Sequence, residues 1–317
     1  MHVEVPCPLC GSTDHCKIYP ATRPQRDLTP EELGCATSPL ATSDAVVKCR
    51  SCGLFYTSPR PDDAGIRDAY ARLADREFLE ERRARELTYC RQLETLDRVA
   101  GRMVPPGAPR GRLLDAGCSM GFFMKEARNW GWEVEGYDPS RWAVQYAHGE
   151  FGLNVSVGTT ASATLAPASF DVVTVWDVVE HLLIPVEDFR KLAAALKPGG
   201  VLALSTHSLG SIAARVMRSR YPFLMPMHTM HFTPRTTALL FEKAGLNQVL
   251  AQPHIRYIRI GYAAEKLAQR LPRTGALCRT AVRALGLSDR HMVVTGLGIF
   301  DAFAVKPAAA AVTAEGR

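Results

Sequence analysis

Through the middle of the chain the apolar positions alternate between two periods. Short apolar runs occur at Leu113–Leu114, Glu133–Tyr137, Leu153–Val157, Ser169–Trp176 and in the VLALST run at 201–206. Between them, apolar residues recur three and four apart over Phe122–Trp130, Arg141–Phe151 and Pro185–Leu196. The runs read as buried strands and the intervening segments as helices, which predicts an α/β fold on a parallel sheet. Ser140 is a candidate cap for the second of these helices. After a loop at Ser208–Phe232, Thr233-Pro234 opens a helix over Arg235–Ala244 that stops at Gly245. Gln248–Arg259 and Met292–Lys306 read as the last two strands. Between them Tyr262–Leu287 is an amphipathic helical insertion, with Arg270, Arg273, Arg279 and Arg283 on or near one face. Upstream, Ile66, Tyr70, Leu73, Phe78, Leu87, Leu93, Leu96 and Val99 recur at helix spacing from Asp62 until PPGAPRG at 105–111.

Composition narrows the class. At 317 residues and 47% apolar content the chain can bury a sizeable core. The formal charge of +6 is mild, both signs are interleaved, and no block of like charge marks a nucleic-acid arm. No apolar run approaches the roughly 20 residues that span a bilayer. No charged n-region followed by an apolar h-region opens the sequence, so a cytoplasmic protein is expected. Its nine cysteines are then expected as thiols or metal ligands rather than disulfides.

The chemistry concentrates in RLLDAGCSMGFF, 112–123. A strand reaches Asp115, a small-residue loop holds Gly117, Cys118, Ser119 and Gly121, and a helix begins near Phe122. Glycine admits φ > 0 and close approach to a ligand, while the helix start offers unpaired N–H groups. The next strand ends in Asp138, an acid placed for a ribose hydroxyl pair.

Four landmarks in register, DAGCSMG, Asp138, FDVVTVWDVVEHL and LKPGGVLALST, resemble the class I S-adenosylmethionine-dependent methyltransferases over roughly residues 110–305. The resemblance implies a Rossmann-like seven-stranded sheet whose last two strands form an antiparallel edge. It also implies cofactor binding by Asp115, Gly117, Cys118, Gly121 and Asp138, with Asp177 facing the cofactor and Tyr70 in the wall of a helical cap. Ser119 stands where the family usually has its middle glycine. DVVEH, 177–181, resembles the E-x-x-E-H metal-binding run of ubiquinone-pathway O-methyltransferases, so a divalent cation at Asp177, Glu180 and His181 is one expectation. His181, His228 and His231 are the expected catalytic candidates, because an imidazole near neutrality can take the acceptor's proton.

At the N-terminus, CPLC and CRSCGL place Cys7, Cys10, Cys49 and Cys52 in two C-x2-C knuckles, the donor set of a structural zinc site. The pair resembles the zinc-ribbon lobe of some bacterial methyltransferases, including sugar C-methyltransferases. His15, Cys16 and Cys35 lie in the long loop between the knuckles and are read as surface residues. The expected organisation is a zinc-ribbon lobe at 1–60, a helical cap at 61–107, a methyltransferase domain at 108–306 with its insertion at 262–287, and a disordered tail at 307–317. The expected activity is methyl transfer from S-adenosylmethionine to a small-molecule acceptor in a secondary-metabolite or saccharide pathway. A hydroxyl acceptor with a loop histidine as base leads; C- or N-methylation of a sugar or natural product is the alternative. A zinc-ribbon module binding nucleic acid or protein is the rival class, disfavoured by the few basic and aromatic residues near the knuckles.

Overall fold

The computed structural model describes residues 2–34, 41–74, 76–101, 108–270 and 272–308. Cys35, the 105–107 part of the cap's end, the tail from 309 and the Arg270 side chain lie outside the described residues. In chain order the elements that build the site are helices α1 (Asp63–Ala71) and α2 (Arg82–Val99), strand β1 (Gly111–Ala116), α3 (Phe122–Asn129), β2 (Trp132–Asp138), α4 (Arg141–Phe151) and β3 (Val155–Val157). They continue as β4 (Phe170–Trp176), α5 (Pro185–Ala195), β5 (Leu196–His207), α6 (Pro234–Lys243), β6 (Asn247–Pro253) and β7 (Ile299–Val305).

The sheet has seven strands in the order β6-β7-β5-β4-β1-β2-β3. Strands β1 to β5 run parallel, and β7 lies antiparallel between β5 and β6. Every residue of β4 is buried, as a central parallel strand covered on both faces requires. The order turns back between β1 and β4, so a crevice opens above their carboxyl ends.

Several boundaries differ from the sequence reading. LKPGG is the bulged start of β5 rather than a turn before it, with a register shift between Leu196 and Val201. The cap is two α-helices joined through a 3-10 turn at Arg76–Glu81. Each of the two last expected strands divides. Asn247–Pro253 and Ile299–Val305 belong to the main sheet, whereas Arg256–Arg259 and His291–Val294 pair in a separate ladder. That ladder roots the insertion, which is two helices, Ile260–Arg270 and Pro272–Ala284, packed on each other. It is tied to the cap by Tyr257 N donating to Thr88 Oγ1 at 2.9 Å and Arg259 Nε to Glu81 Oε1 at 3.0 Å.

The N-terminal lobe does not close on itself. Its sheet has four strands, and the outermost is Met230–His231 from the segment after β5, paired with Phe55–Tyr56. Leu9, Leu54 and Tyr56 share one core with Val173, Leu204 and Phe232. The segment after β5 also carries a short helix, Ile212–Met217, where a continuous loop was expected.

Gly121 shows how tightly the first turn is built. Its φ is +75°, and an added Cβ would sit 2.5 Å from Leu153 Cδ1 and 3.2 Å from Ala147 Cβ. The left-handed backbone costs an L-residue about 1–2 kcal/mol, and overpacking adds about 1–3 kcal/mol. Gly121→Ala is therefore expected to lower unfolding stability by about 2–5 kcal/mol in urea titrations.

Candidate active site

A cavity of about 530 Å³ occupies the crevice and continues under α1 and the segment after β5. At one end the Asp115–Gly121 loop turns over the carboxyl end of β1. Gly117 and Gly121 have φ of +79° and +75°, and Ser119 takes φ +49° although it is not glycine. A Cβ at Gly117 would meet Val178 Cγ2 at 2.6 Å. Ser119 thus adopts the left-handed conformation without being glycine, and its amide donates to Asp138 Oδ2 at 2.8 Å. The Ser140 amide donates to the other oxygen, Oδ1, at 2.9 Å, and Ser140 caps α4. Each Asp138 oxygen keeps a lone pair for a further donor, the arrangement a vicinal diol needs.

Beyond Asp138 the cavity is lined by Pro139, Trp142 and the Val157–Ser162 turn, a mix of apolar and hydroxyl-bearing side chains. Cys118 lines the wall and is buried. Asp115 is buried and accepts from Thr174 Oγ1 at 2.7 Å. Asp177 follows β4 in the left-handed region, φ +53°, and accepts from Ser205 Oγ at 2.7 Å. Burial raises Asp115 to about 7 and Asp138 to about 6. Burial would raise Asp177 too, but Arg256, His254 and the Ser205 hydroxyl hold it below its usual range.

At the other end sit the histidines. His181 Nδ1 lies 2.9 Å from the Met227 carbonyl and 2.9 Å from the Tyr70 hydroxyl. His228 Nδ1 donates to the Phe223 carbonyl at 2.8 Å. A carbonyl only accepts, so the neutral His228 ring carries its proton on Nδ1 and presents Nε2 as an acceptor. Burial, then His207 and His181, pulls His228 well below its ordinary value and keeps it unprotonated. Leu33 of the N-terminal lobe, Ile66 of α1, and Met225 and Met227 pack together and close this end.

The structure brings together Tyr70, Asp115, Gly117, Cys118, Asp138, Asp177, His181 and His228 around one cavity. His231 is a correction. It is fully buried, does not line the cavity, and stands behind His207, whose Nε2 is 2.6 Å from His231 Nδ1. The pairing of its backbone with Phe55 turns it into the core. His207 itself escaped the sequence reading, which ended the strand at Thr206; it lines the cavity and stacks on His228 with ring centroids 4.5 Å apart. Arg85, Tyr89, Arg256 and Phe223 were also missed. The expected cation set is corrected as well: Glu180 and His181 cluster with His228, all ligand atoms within 4.8 Å, while Asp177 turns to Ser205.

In the N-terminal lobe the four sulfurs of Cys7, Cys10, Cys49 and Cys52 lie within 4.8 Å of one another. Cys7 and Cys52, and Cys10 and Cys49, are 3.5 Å apart. Tetrahedral zinc with bonds of about 2.3 Å sets its sulfurs about 3.8 Å apart, so the donor set fits. Gly11 and Gly53 close the knuckles at φ +75° and +85°. Cys16 donates to the Lys48 carbonyl and His15 contacts Tyr56, both outside the cluster.

A glycine-turned loop and an acid at the tip of the neighbouring strand, beside a cavity at the switch point of this sheet, define a class I S-adenosylmethionine-dependent methyltransferase. Residues 78–251 match the family described as a methyltransferase domain, more than half of the chain, and the protein belongs to that family. Among curated proteins it is similar to the ubiquinone biosynthesis O-methyltransferase of Xanthomonas campestris pv. campestris (strain B100), 35% identical over 146 residues, covering 43% of this chain and 60% of that protein. The namesake from Xanthomonas axonopodis pv. citri (strain 306) is 33% identical over 164 residues, 48% of this chain and 67% of the relative. The chain thus spans about 60% of the length of the first of these relatives. Among solved structures, a SAM-dependent methyltransferase from Archaeoglobus fulgidus aligns with TM-score 0.49 at 19% identity, covering 73% of this chain and all of that one.

If Asp138 holds the cofactor's ribose, cofactor binding is expected to depend on pH. Burial lifts its carboxyl from 3.8 to about 6, so folding favours the neutral acid. That contribution is present below the unfolded value and lost as pH rises through the folded one. Hydroxyl donors from a ribose favour the carboxylate, so binding should strengthen over the same rise. S-adenosylhomocysteine affinity, measured by calorimetry, is expected to increase from about pH 5 to about pH 7. Asp138→Asn should weaken it about 10²-fold and flatten the limb near pH 6.

Proposed function

We propose that the enzyme methylates a hydroxyl of a small, largely apolar acceptor and that His228 removes the proton. The observation behind this reading is that His228 lines the same cavity as the cofactor loop, with its Nδ1 committed to the Phe223 carbonyl and Nε2 left as the acceptor. When bound, S-adenosylmethionine supplies the electrophilic methyl group. The chain's residues then have three tasks. Asp138 and the loop orient the cofactor, the Leu33, Ile66, Met225 and Met227 wall excludes water, and His228 Nε2 accepts the acceptor's proton. The Tyr70–His181 contact at 2.9 Å would orient the second imidazole beside it. The similarity to O-methyltransferases supports the hydroxyl reading over C- or N-methylation.

A small-molecule panel read by mass spectrometry for a gain of one methyl tests the reaction. On the acceptor so found, His228→Ala is expected to cut turnover by about 10²–10⁴-fold while S-adenosylhomocysteine affinity is unchanged. Wild-type turnover in that variant across the pH range would remove His228 from the base's role. The Glu180–His181–His228 cluster supports a second reading, a divalent cation that holds the acceptor's oxygen. Turnover that rises when magnesium or manganese is returned to dialysed protein would favour it.

For the lobe we propose one structural zinc on Cys7, Cys10, Cys49 and Cys52, which is expected to hold the histidine segment through the four-stranded sheet. Elemental analysis should find one zinc per chain, lost in Cys49→Ser and kept in Cys16→Ser. Chelation is expected to speed amide exchange at Phe55–Thr57 and Met230–His231 while β1 and β4 stay protected. Equal exchange with and without metal would detach the lobe from the site.

A further inference from the structure

The short helix Ile212–Met217 turns its larger side chains outward. Ala214 is buried with Leu209, Tyr221 and Leu224, and Ala213 and Met217 lie half-buried against the same cluster. Ile212 and Val216, one helical turn apart, are 81% and 76% exposed, the two most exposed large apolar side chains among the described residues. Leu297 is exposed too, on a backbone that the Tyr221 hydroxyl and the Ser208 amide tie to this segment at 2.8 and 2.7 Å. Ser211 caps the helix by accepting from the Ala214 amide at 3.1 Å. The helix is therefore anchored by its alanines and its cap, and its isoleucine and valine are left without a protein neighbour to cover them.

Charge at this place is one-sided. No aspartate or glutamate occurs anywhere from 189 to 241. Arg215, Arg218 and Arg220 accompany the apolar pair, all three exposed and none in a hydrogen bond or ion pair with a described residue. Aliphatic side chains set among unpaired arginines fit an anionic lipid surface. The apolar pair enters the headgroup region, and the guanidinium groups stay at the level of the phosphates. A second copy of the chain fits less well. A twofold contact would set each arginine near its own copy, and a helix of six residues is small against the roughly 20–30 residues a side of a stable protein interface.

We propose that the segment 212–220 docks this protein on an anionic membrane surface, with Ile212 and Val216 inserted and Arg215, Arg218 and Arg220 on the lipid phosphates. A helix of six residues lies in the interface and spans nothing. The docking surface leads into the cavity wall. From Arg220 the chain runs through Tyr221 to Phe223, Met225 and His228, which line the cavity, so the contact sets the histidine end of the cavity toward the lipid. The proposal goes beyond methyl transfer and does not depend on it, because the patch uses no residue of the cofactor loop or of the histidine cluster.

Sedimentation of the full-length protein with lipid vesicles reads the contact. On phosphatidylcholine with about one quarter phosphatidylglycerol, partitioning is expected to exceed that on pure phosphatidylcholine by about 10²-fold and to fall as salt is raised. Replacing the three arginines together, Arg215→Gln, Arg218→Gln and Arg220→Gln, should remove that preference. Ile212→Ser with Val216→Ser should weaken partitioning on both kinds of vesicle by about 10–10²-fold. All five side chains are exposed, so both variants are expected to keep the wild-type thermal midpoint, which checks that they are folded. Wild-type protein that stays in solution beside anionic vesicles at low salt overturns the proposal, as do folded variants that partition like wild type. A wild-type dimer in analytical ultracentrifugation that Ile212→Ser with Val216→Ser makes monomeric, without vesicle binding, assigns the face to a second copy instead. Retention on polyglutamate with none on anionic vesicles assigns the arginines to an acidic protein and also overturns it. Vesicle binding by a protein that transfers no methyl group would leave this proposal standing and remove the methyl-transfer reading alone.

Discussion

The reversal of strand order between β1 and β4 is the constraint on which the site depends. Main-chain groups along a parallel strand are taken by its neighbours, so the end of the strand is where a side chain can turn into the crevice. Asp115 is the penultimate residue of β1, Asp138 ends β2, Asp177 follows β4 and His207 ends β5. Four chemically active residues reach one cavity because four strands end at one edge. Burial there raises the cost of ionising Asp115 and Asp138, and the local partners answer it: Thr174 for Asp115, two amides for Asp138, Ser205 for Asp177.

The second dependency runs through two residues. Met230–His231 belongs by sequence to the segment after β5 and by hydrogen bonding to the lobe's sheet. His228 is three residues before His231 and Met227 four, so the strand pairing fixes both the candidate base and the carbonyl that holds His181. Thr229 reinforces this, its amide donating to the Glu180 carbonyl at 3.0 Å. The lobe is therefore a wall of the active site as much as an appendage. Leu33 carries the same message from the lobe's other edge.

The fold is legible in the sequence where local chemistry and tertiary structure agree. The buried β-branched run Phe170–Trp176, the glycine turn and the acid at the tip of β2 each announce themselves within a few residues. Helix ends with caps, such as Thr233 and Ser140, were equally legible. What failed was long-range. His231 looked like a loop residue because nothing local reveals its pairing with Phe55, some 170 positions away in sequence. His207 was missed because an apolar strand obscures the polar residue that ends it, although the rule that found Asp138 applies to it equally. Arg256 was hidden inside a stretch read as one strand, which the structure splits between two sheets.

The two ends of the cavity are built on different principles, and this explains why the cofactor was readable and the acceptor was not. The cofactor end belongs to strand ends and to turns in which substitution meets backbone strain or a clash at short range, so few residues are compatible with it. The end proposed for the acceptor is assembled from Leu33, Ile66, Phe223, Met225 and Met227, contributed by the lobe, the cap and the segment after β5. Flexible thioethers and aliphatic side chains can rearrange around many shapes without disturbing the sheet. Leu33 and Ile66 also lie outside the part of the chain that matches the methyltransferase family, residues 78–251. A fold that holds one cofactor rigidly while its attachments shape the other half of the pocket can change acceptor without changing chemistry. On the proposed reading, acceptor specificity has its physical origin in the packing of the lobe and cap against the histidine segment, and only the reaction type in the sheet.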